Sequence, residues 1–153
     1  MYALIRIRGS INLRPDIKKT LELLKLKEPN HCVLISETPG LKKMAVKAKD
    51  YLAFGEITKA TLAKLIQKRG RRKGNKRLSE DDLKAFGFSS FDEMAGQVIE
   101  KNLRLKDFNI NWVFRLRPPR KGFERKGIKK DFKAGGVLGF RGKEINDLLL
   151  KMI

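Results

Sequence analysis

Apolar and polar residues alternate along residues 2–8, with Ala3, Ile5 and Ile7 on one side and Leu4, Arg6 and Arg8 on the other. A period of two predicts a half-buried strand, which Gly9 and Ser10 end. Pro15 suits a first helical turn, Asp16 complements the helix dipole, and Ile17, Leu21 and Leu24 share a helical stripe that Pro29 and Asn30 break. The apolar run 31–36 is too short for a stable helix and is bounded by breakers, so it predicts a second strand. Thr38 as N-cap, Pro39 at the first helical position and the stripe Leu41, Met44, Ala45 and Ala48 predict a second helix. A third strand over 51–57 is interrupted by Gly55. Strand, helix, strand, helix, strand, with one apolar face per helix, predicts a small α+β sandwich whose helices pack on one side of the sheet.

Beyond it, Leu62, Leu65 and Ile66 predict a helix over 58–69 with Gly70 as its C-cap. The following RGRRKGNKR has two glycines and no apolar residue, and cannot fold alone. Two helices come next, with capping-box spacing at Ser79 and Asp82 and at Ser90 and Glu93. Leu83, Phe86, Phe88, Phe91, Met94, Val98 and Ile99 predict a small core of their own for this insert. Alternation resumes over 112–117, where Val113, Arg115 and Arg117 oppose Phe114 and Leu116, and Pro118 and Pro119 stop it. This strand is expected to anchor the chain by joining or abutting the core sheet. Residues 120–133 read as extended and poorly packed against their own protein. Ile145, Leu148, Leu149 and Met152 predict a closing helix. Three parts result: a core over 1–60, a helical insert with a basic loop and an acidic island over 61–111, and a strand, basic extended arm and closing helix over 112–153.

Charge changes this picture more than any motif. The net charge of +19 over 153 residues is best tolerated when a polyanion neutralises it. It is unevenly placed: residues 61–77 hold eight Lys and Arg and no acid, while residues 78–100 hold six acids and one lysine. No apolar run reaches the length of a membrane span and no signal-peptide pattern follows Met1, so no membrane partner is expected. A lone Cys32 excludes an internal disulfide and fits a reducing cytoplasm. Catalytic chemistry finds no support. His31 and Cys32 are adjacent on a strand, so their side chains diverge. No Cys or His pair has metal-ligand spacing, and Glu80, Asp81 and Asp82 are what the first turn of a capped helix selects. No enzyme activity, cofactor, metal or small-molecule substrate is expected.

Lys42, Lys43 and Lys47 by themselves suit a solvated face as readily as a ligand. A solvated face explains less well the arginine-rich, glycine-broken segments. These hold Arg69, Arg71, Arg72, Lys73, Lys76 and Arg77 in one zone, and Arg115, Arg117, Arg120, Lys121, Arg125, Lys126, Lys129 and Lys130, with Arg141 beyond, in the other. Arginine matches phosphate oxygens and stacks on bases, and Phe123, Phe132 and Phe140 could stack or wedge. Gly135, Gly136 and Gly139 read either as a plain turn or as a close backbone approach to an RNA chain. Without a recognition-helix or zinc-finger pattern, irregular RNA is favoured over duplex DNA.

The stretches IRIRGSINLRPDIKKTLELLKL and SETPGLKKMAVKAKDYLAFGEI resemble the L30 family of large-subunit ribosomal proteins. FRLRPPRKGF after a long insert, with a Gly-rich basic tail, is similar to the longer archaeal form, and Met1 leads into the first strand without the basic extension of eukaryotic members. The resemblance implies a ferredoxin-like α+β core, cytoplasmic and ribosome-bound, that contacts large-subunit ribosomal RNA without catalysis. It would present Arg8, Ser10 and Arg14 after the first strand, and Thr38, Pro39, Lys42 and Lys43 at the second helix. Neighbouring ribosomal proteins are the partners open to Glu80, Asp81 and Asp82. A transient ribosome-assembly factor or RNA-modifying enzyme and, further off, a DNA architectural protein are the alternatives.

Overall fold

The computed structural model describes residues 1–72, 74–103, 105–124 and 126–153. Strand β1 (Tyr2–Arg6) lies at the centre of the sheet, with β2 (His31–Ile35) and β3 (Leu52–Glu56) antiparallel on either side. Helices α1 (Pro15–Leu23) and α2 (Pro39–Lys47) make the connections. The chain then runs through α3 (Lys59–Arg69), α4 (Glu80–Ala85) and α5 (Phe91–Glu100) before β4 (Val113–Arg115) pairs antiparallel with β2. A two-residue β5 (Gly139–Phe140) pairs parallel with β3, and α6 (Ile145–Met152) closes the chain. Among the described residues the order is β4-β2-β1-β3-β5, an open α+β sheet of the ferredoxin-like kind expected. The strand over 112–117 joins the sheet, as its alternation implied: Phe114 and Leu116 are buried, Arg115 and Arg117 exposed.

Helices α1 and α2 cover one face of the sheet, as residues 1–57 predict; Leu21, Leu24, Ala45 and Ala48 pack there on Tyr2, Leu4, Val33, Ile35, Leu52 and Phe54. The other face is covered as well. Ala3, Ile5, Cys32, Ala53 and Phe114 are buried under Leu62, Leu65 and Ile66 of α3, Met94 and Val98 of α5, and Leu148, Leu149 and Met152 of α6. β1 is therefore fully buried rather than half-buried. Both of its side-chain rows are apolar up to Ile5, and leaving either wet would forgo roughly 1.5–3 kcal/mol per large side chain. For the same reason the insert has no core of its own: Leu83, Phe88, Met94 and Val98 belong to this second layer. Cys32 is fully buried in it, and burial pushes its thiol up to about 12, so it is unreactive.

Helix α1 ends at Leu23, well before Pro29. The Lys25 N–H donates to the Glu22 carbonyl and the Leu26 N–H to the Leu21 carbonyl, at 3.0 and 2.9 Å. This is a Schellman closure with Lys25 at φ +59 where glycine is usual. It directs the Leu26 and Lys27 carbonyls at Arg6, whose Nη1 donates to both at 2.9 and 2.5 Å, while Nε donates to the Arg8 carbonyl and Nη2 to Ser10 Oγ. Arg6 is 2% exposed and organises the β1–α1 connection without an acidic partner among the described residues. Arg6→Met leaves three carbonyls underbonded. We expect a loss of about 3 kcal/mol by urea denaturation, with faster amide exchange over 7–14 and not in β3.

Gly55 does not interrupt β3. A side chain there would stand 2.2 Å from the Gly142 carbonyl oxygen, so glycine lets the chain before α6 lie against the sheet.

Candidate nucleic-acid interface

The basic residues fall into three groups in space. The first surrounds α1 and α2. Arg8 lies with its guanidinium carbon 4.9 Å from the centre of the Tyr51 ring and donates to the Asp50 carbonyl. Ser10 is exposed but accepts from Arg6. Arg14 and Lys47 both approach Asp16, at 3.6 and 3.8 Å, so part of their charge is balanced within the chain. Thr38 begins α2 but makes no side-chain cap bond, and Lys42 sits 5.6 Å over the Tyr2 ring. Lys43 is exposed. Because β1 and β2 are antiparallel, Arg8 and Thr38 mark opposite ends of the sheet, and α2 returns Lys47 to the first.

The second group joins segments that are far apart in sequence. Residues 71–72 and 76–77 pair as the arms of a hairpin: Arg71 bridges Arg77, the Arg72 N–H donates to the Lys76 carbonyl at 2.9 Å, and the Asn111 N–H donates to the Arg71 carbonyl at 2.7 Å. Asp82 ion-pairs with Arg72. It also accepts from the Ser79 N–H in a full capping box, the bond that does most to hold its carboxyl below the usual range, with Arg72 adding to it. One residue of the acidic island thus anchors the basic loop. At the second insert helix Ser90 caps Glu93, whose carboxylate turns to Ser89 instead.

Beside the hairpin, the Arg117 and Arg120 N–H groups donate to the Met152 and Lys151 carbonyls at the end of α6, and Arg69 Nη2 donates to the Ile153 carbonyl at 2.8 Å. Orphan carbonyls at the helix C-terminus thus hold the backbone of Arg117 and Arg120 and the guanidinium of Arg69, and the dipole there favours positive charge. The Arg69 guanidinium is held below its ordinary value by burial first, then by the charges of Arg117, Arg71, Arg77 and Arg120. Among the described residues Arg71, Arg77, Arg115, Arg117 and Arg120 have no ion-pair partner. The first basic zone and the start of the second, Arg115 to Arg120, are one patch, and Lys76 lies exposed in its hairpin.

The third group lies among residues 118–124 and 126–136, where the chain departs from the extended arm expected over 120–133. Short 3-10 turns form at Gly127–Lys129 and Phe132–Ala134. Phe123 packs against the core, and Arg141 stacks 4.3 Å from the Phe132 ring centre and pairs with Glu124 at 2.6 Å. Arg141, expected at the interface, is 6% exposed and holds this segment down. Phe123 is likewise engaged by its own chain. Gly136 approaches backbone of this protein rather than being open to an RNA: a Cβ there would lie 2.1 Å from the Lys130 carbonyl oxygen. Lys121, Lys126, Lys129 and Lys130 remain exposed on the outer side. Lys73 and Arg125 lie outside the described residues.

Sequence reasoning missed Asn75, Asn109, Asn111 and Trp112, which line a cleft of about 420 Å3 with Arg72 and Arg115. The signal was Asn75 and Asn109 as left-handed turn residues, a conformation asparagine tolerates. Among the described residues, no helix is long and apolar enough to cross a membrane, and no cluster of His, Cys, Asp and Glu could hold a metal ion.

Residues 2–52 match the family model of ribosomal protein L30p/L7e. The chain is 50% identical over 152 residues to the large ribosomal subunit protein uL30 of Methanococcus maripaludis, covering 99% of both. It is 46% identical over 153 residues to that of Nanoarchaeum equitans, covering 100% of this chain and 99% of the relative. These relatives are named as ribosomal proteins and not as enzymes. With half the residues identical from end to end, the chain belongs to the ribosomal protein L30p/L7e family.

Proposed function

We propose that the chain is a structural constituent of the large ribosomal subunit, cytoplasmic and ribosome-bound, that fastens segments of ribosomal RNA together. The observation that carries this is the convergence of the 69–77 and 115–120 segments into one arginine patch without acidic partners of its own beyond Asp82. Such a patch raises the energy of the free protein and is relieved by phosphate. In this reading residues 1–60 dock through Arg8, Arg14, Lys42, Lys43 and Lys47, while 61–111 and 112–153 contribute the patch and the exposed lysines of the arm. Glu80 and Asp81 are exposed at the start of α4 and would repel phosphate, which turns that end of the insert towards a neighbouring ribosomal protein.

Binding to deproteinised large-subunit RNA should weaken steeply with salt. If roughly eight phosphates are neutralised, the log-log slope is about −6 on the single-strand coefficient. A slope near zero refutes the electrostatic reading. Stoichiometric recovery with large subunits after a high-salt wash distinguishes a constituent from a transient assembly factor, which the wash would remove.

A further inference from the structure

Among the described residues Ile11 is the most exposed large apolar side chain, at 88%, and it stands at the tip of the β1–α1 connection. Both sides of that tip are held. Before it, buried Arg6 donates to the Arg8 carbonyl and to Ser10 Oγ. After it, Leu13 packs on the apolar cluster between the sheet and helices α1 and α2. Asn12 lies between them at a left-handed φ of +53, which asparagine tolerates. The turn buries Leu13 in part and leaves Ile11 in water, where it forgoes the burial that its neighbour obtains. Beside the loop, a hollow of about 510 Å3 runs along α1, lined by Arg6, Lys18, Lys25 and Lys27, with Glu22 as its one acid. None of the three lysines has an ion-pair partner among the described residues. Lys25 takes a left-handed φ of +59, a conformation costly for a residue with a side chain. Glycine would close the helix there without that cost, and what it would lack is the charge.

A rigid apolar tip set among cations matches nucleic acid. Isoleucine is one of the residues that act as wedges where a base stack opens, and irregular RNA supplies such open steps in its loops and bulges. Lysines hold the phosphates alongside, each neutralised phosphate releasing counterions. A protein partner would instead have to surround an apolar pocket with acids. We propose that Ile11 wedges against an unstacked base of ribosomal RNA and that the hollow of Lys18, Lys25 and Lys27 receives phosphates of the same strand. The inference rests on the RNA-binding function proposed above. It adds to the cations of the core a fixed apolar point that reads where the RNA is unstacked.

The test uses the full chain and deproteinised large-subunit RNA of a methanogen such as Methanococcus maripaludis. Ile11→Ala shortens an exposed side chain, so the thermal midpoint should not move. It should weaken binding about tenfold with an unchanged salt slope, since a neutral group releases no counterions. One or two adjacent nucleotides should change their reactivity to base-directed reagents while the rest of the footprint persists. K18Q/K25G/K27Q should lower the slope by about 2 on the single-strand coefficient, with a midpoint at or above the native one because glycine suits position 25. Native affinity and footprint in Ile11→Ala, or an unchanged slope in the lysine variant, overturns this site and leaves RNA binding by the arginine patch standing. Ile11→Ala that binds bare RNA normally but fails to enter reconstituted large subunits also overturns it, in favour of an apolar pocket on a neighbouring protein. Absence of salt-dependent binding by the native chain overturns RNA binding itself.

Discussion

Replacing Arg71, Arg77, Arg115 and Arg117 together with glutamine is expected to lower the salt slope of RNA binding by about 3, because each neutralised phosphate contributes roughly 0.7 on the single-strand coefficient. The affinity loss is that change multiplied by the logarithm of salt concentration. It amounts to roughly a thousandfold at 0.1 M and disappears towards 1 M. The free protein should not be destabilised. Arg117 and Arg120 are tied to α6 through their backbone N–H groups, which glutamine retains, and the repulsion that lowers Arg69 is relieved. Thermal unfolding at or above the native midpoint, alongside the flattened slope, separates lost contact from lost fold. An unchanged slope would show that the patch meets no phosphate.

Glu124→Ala should have the opposite profile, with a large effect on the folded protein. Arg141 has a side chain only 4% exposed. It donates to Glu124 at 2.6 Å and to the Val137 carbonyl at 3.4 Å. Removing Glu124 leaves a buried charge uncompensated, at a cost of about 3 kcal/mol, or roughly 6–12 °C in midpoint for a chain of this size. Burial acts to raise the Glu124 carboxyl, but hydrogen bonds from the Arg141 side chain and a backbone amide, with the charges of Arg141 and Lys151, outweigh it and hold the group below its ordinary 4.5. A depressed carboxyl stabilises the fold fully above its unfolded value, and the contribution is lost as pH falls through the folded value. The stability gap between native protein and variant should therefore narrow below about pH 4.5. A gap independent of acid pH would mean that the pair is not the anchor of the 118–136 segment.

Much of this architecture was legible because local rules and tertiary packing agree in it. Pro15 and Pro39 open helices, and the capping box at Ser79 forms as spaced. The closing helix buries Ile145, Leu148, Leu149 and Met152 as its stripe requires. The misreadings share a cause. Lys25 closes α1 in a conformation that usually signals glycine, so no local pattern marked the end. Arg6 looked like a solvent-facing charge in an alternating strand, and only Leu26 and Lys27, brought back by that closure, make its burial possible. Arg141 looked like one more interface cation, and only Glu124, 17 residues earlier in the chain, shows where it lies.

By itself the sequence determined the order of the helices and of the first four strands, though not β5, with the excess of positive charge and the two segments that carry it, because period, caps and composition act over a few residues. Tertiary structure alone decided that the sheet has two covered faces, that Arg141 and Phe123 are directed inward, and that residues near 70 and near 115 form one patch with an asparagine-lined cleft beside it. Those outcomes depend on which distant carbonyls and carboxylates meet each cation, and on a like-charge repulsion that exists only once folding has brought the arginines together.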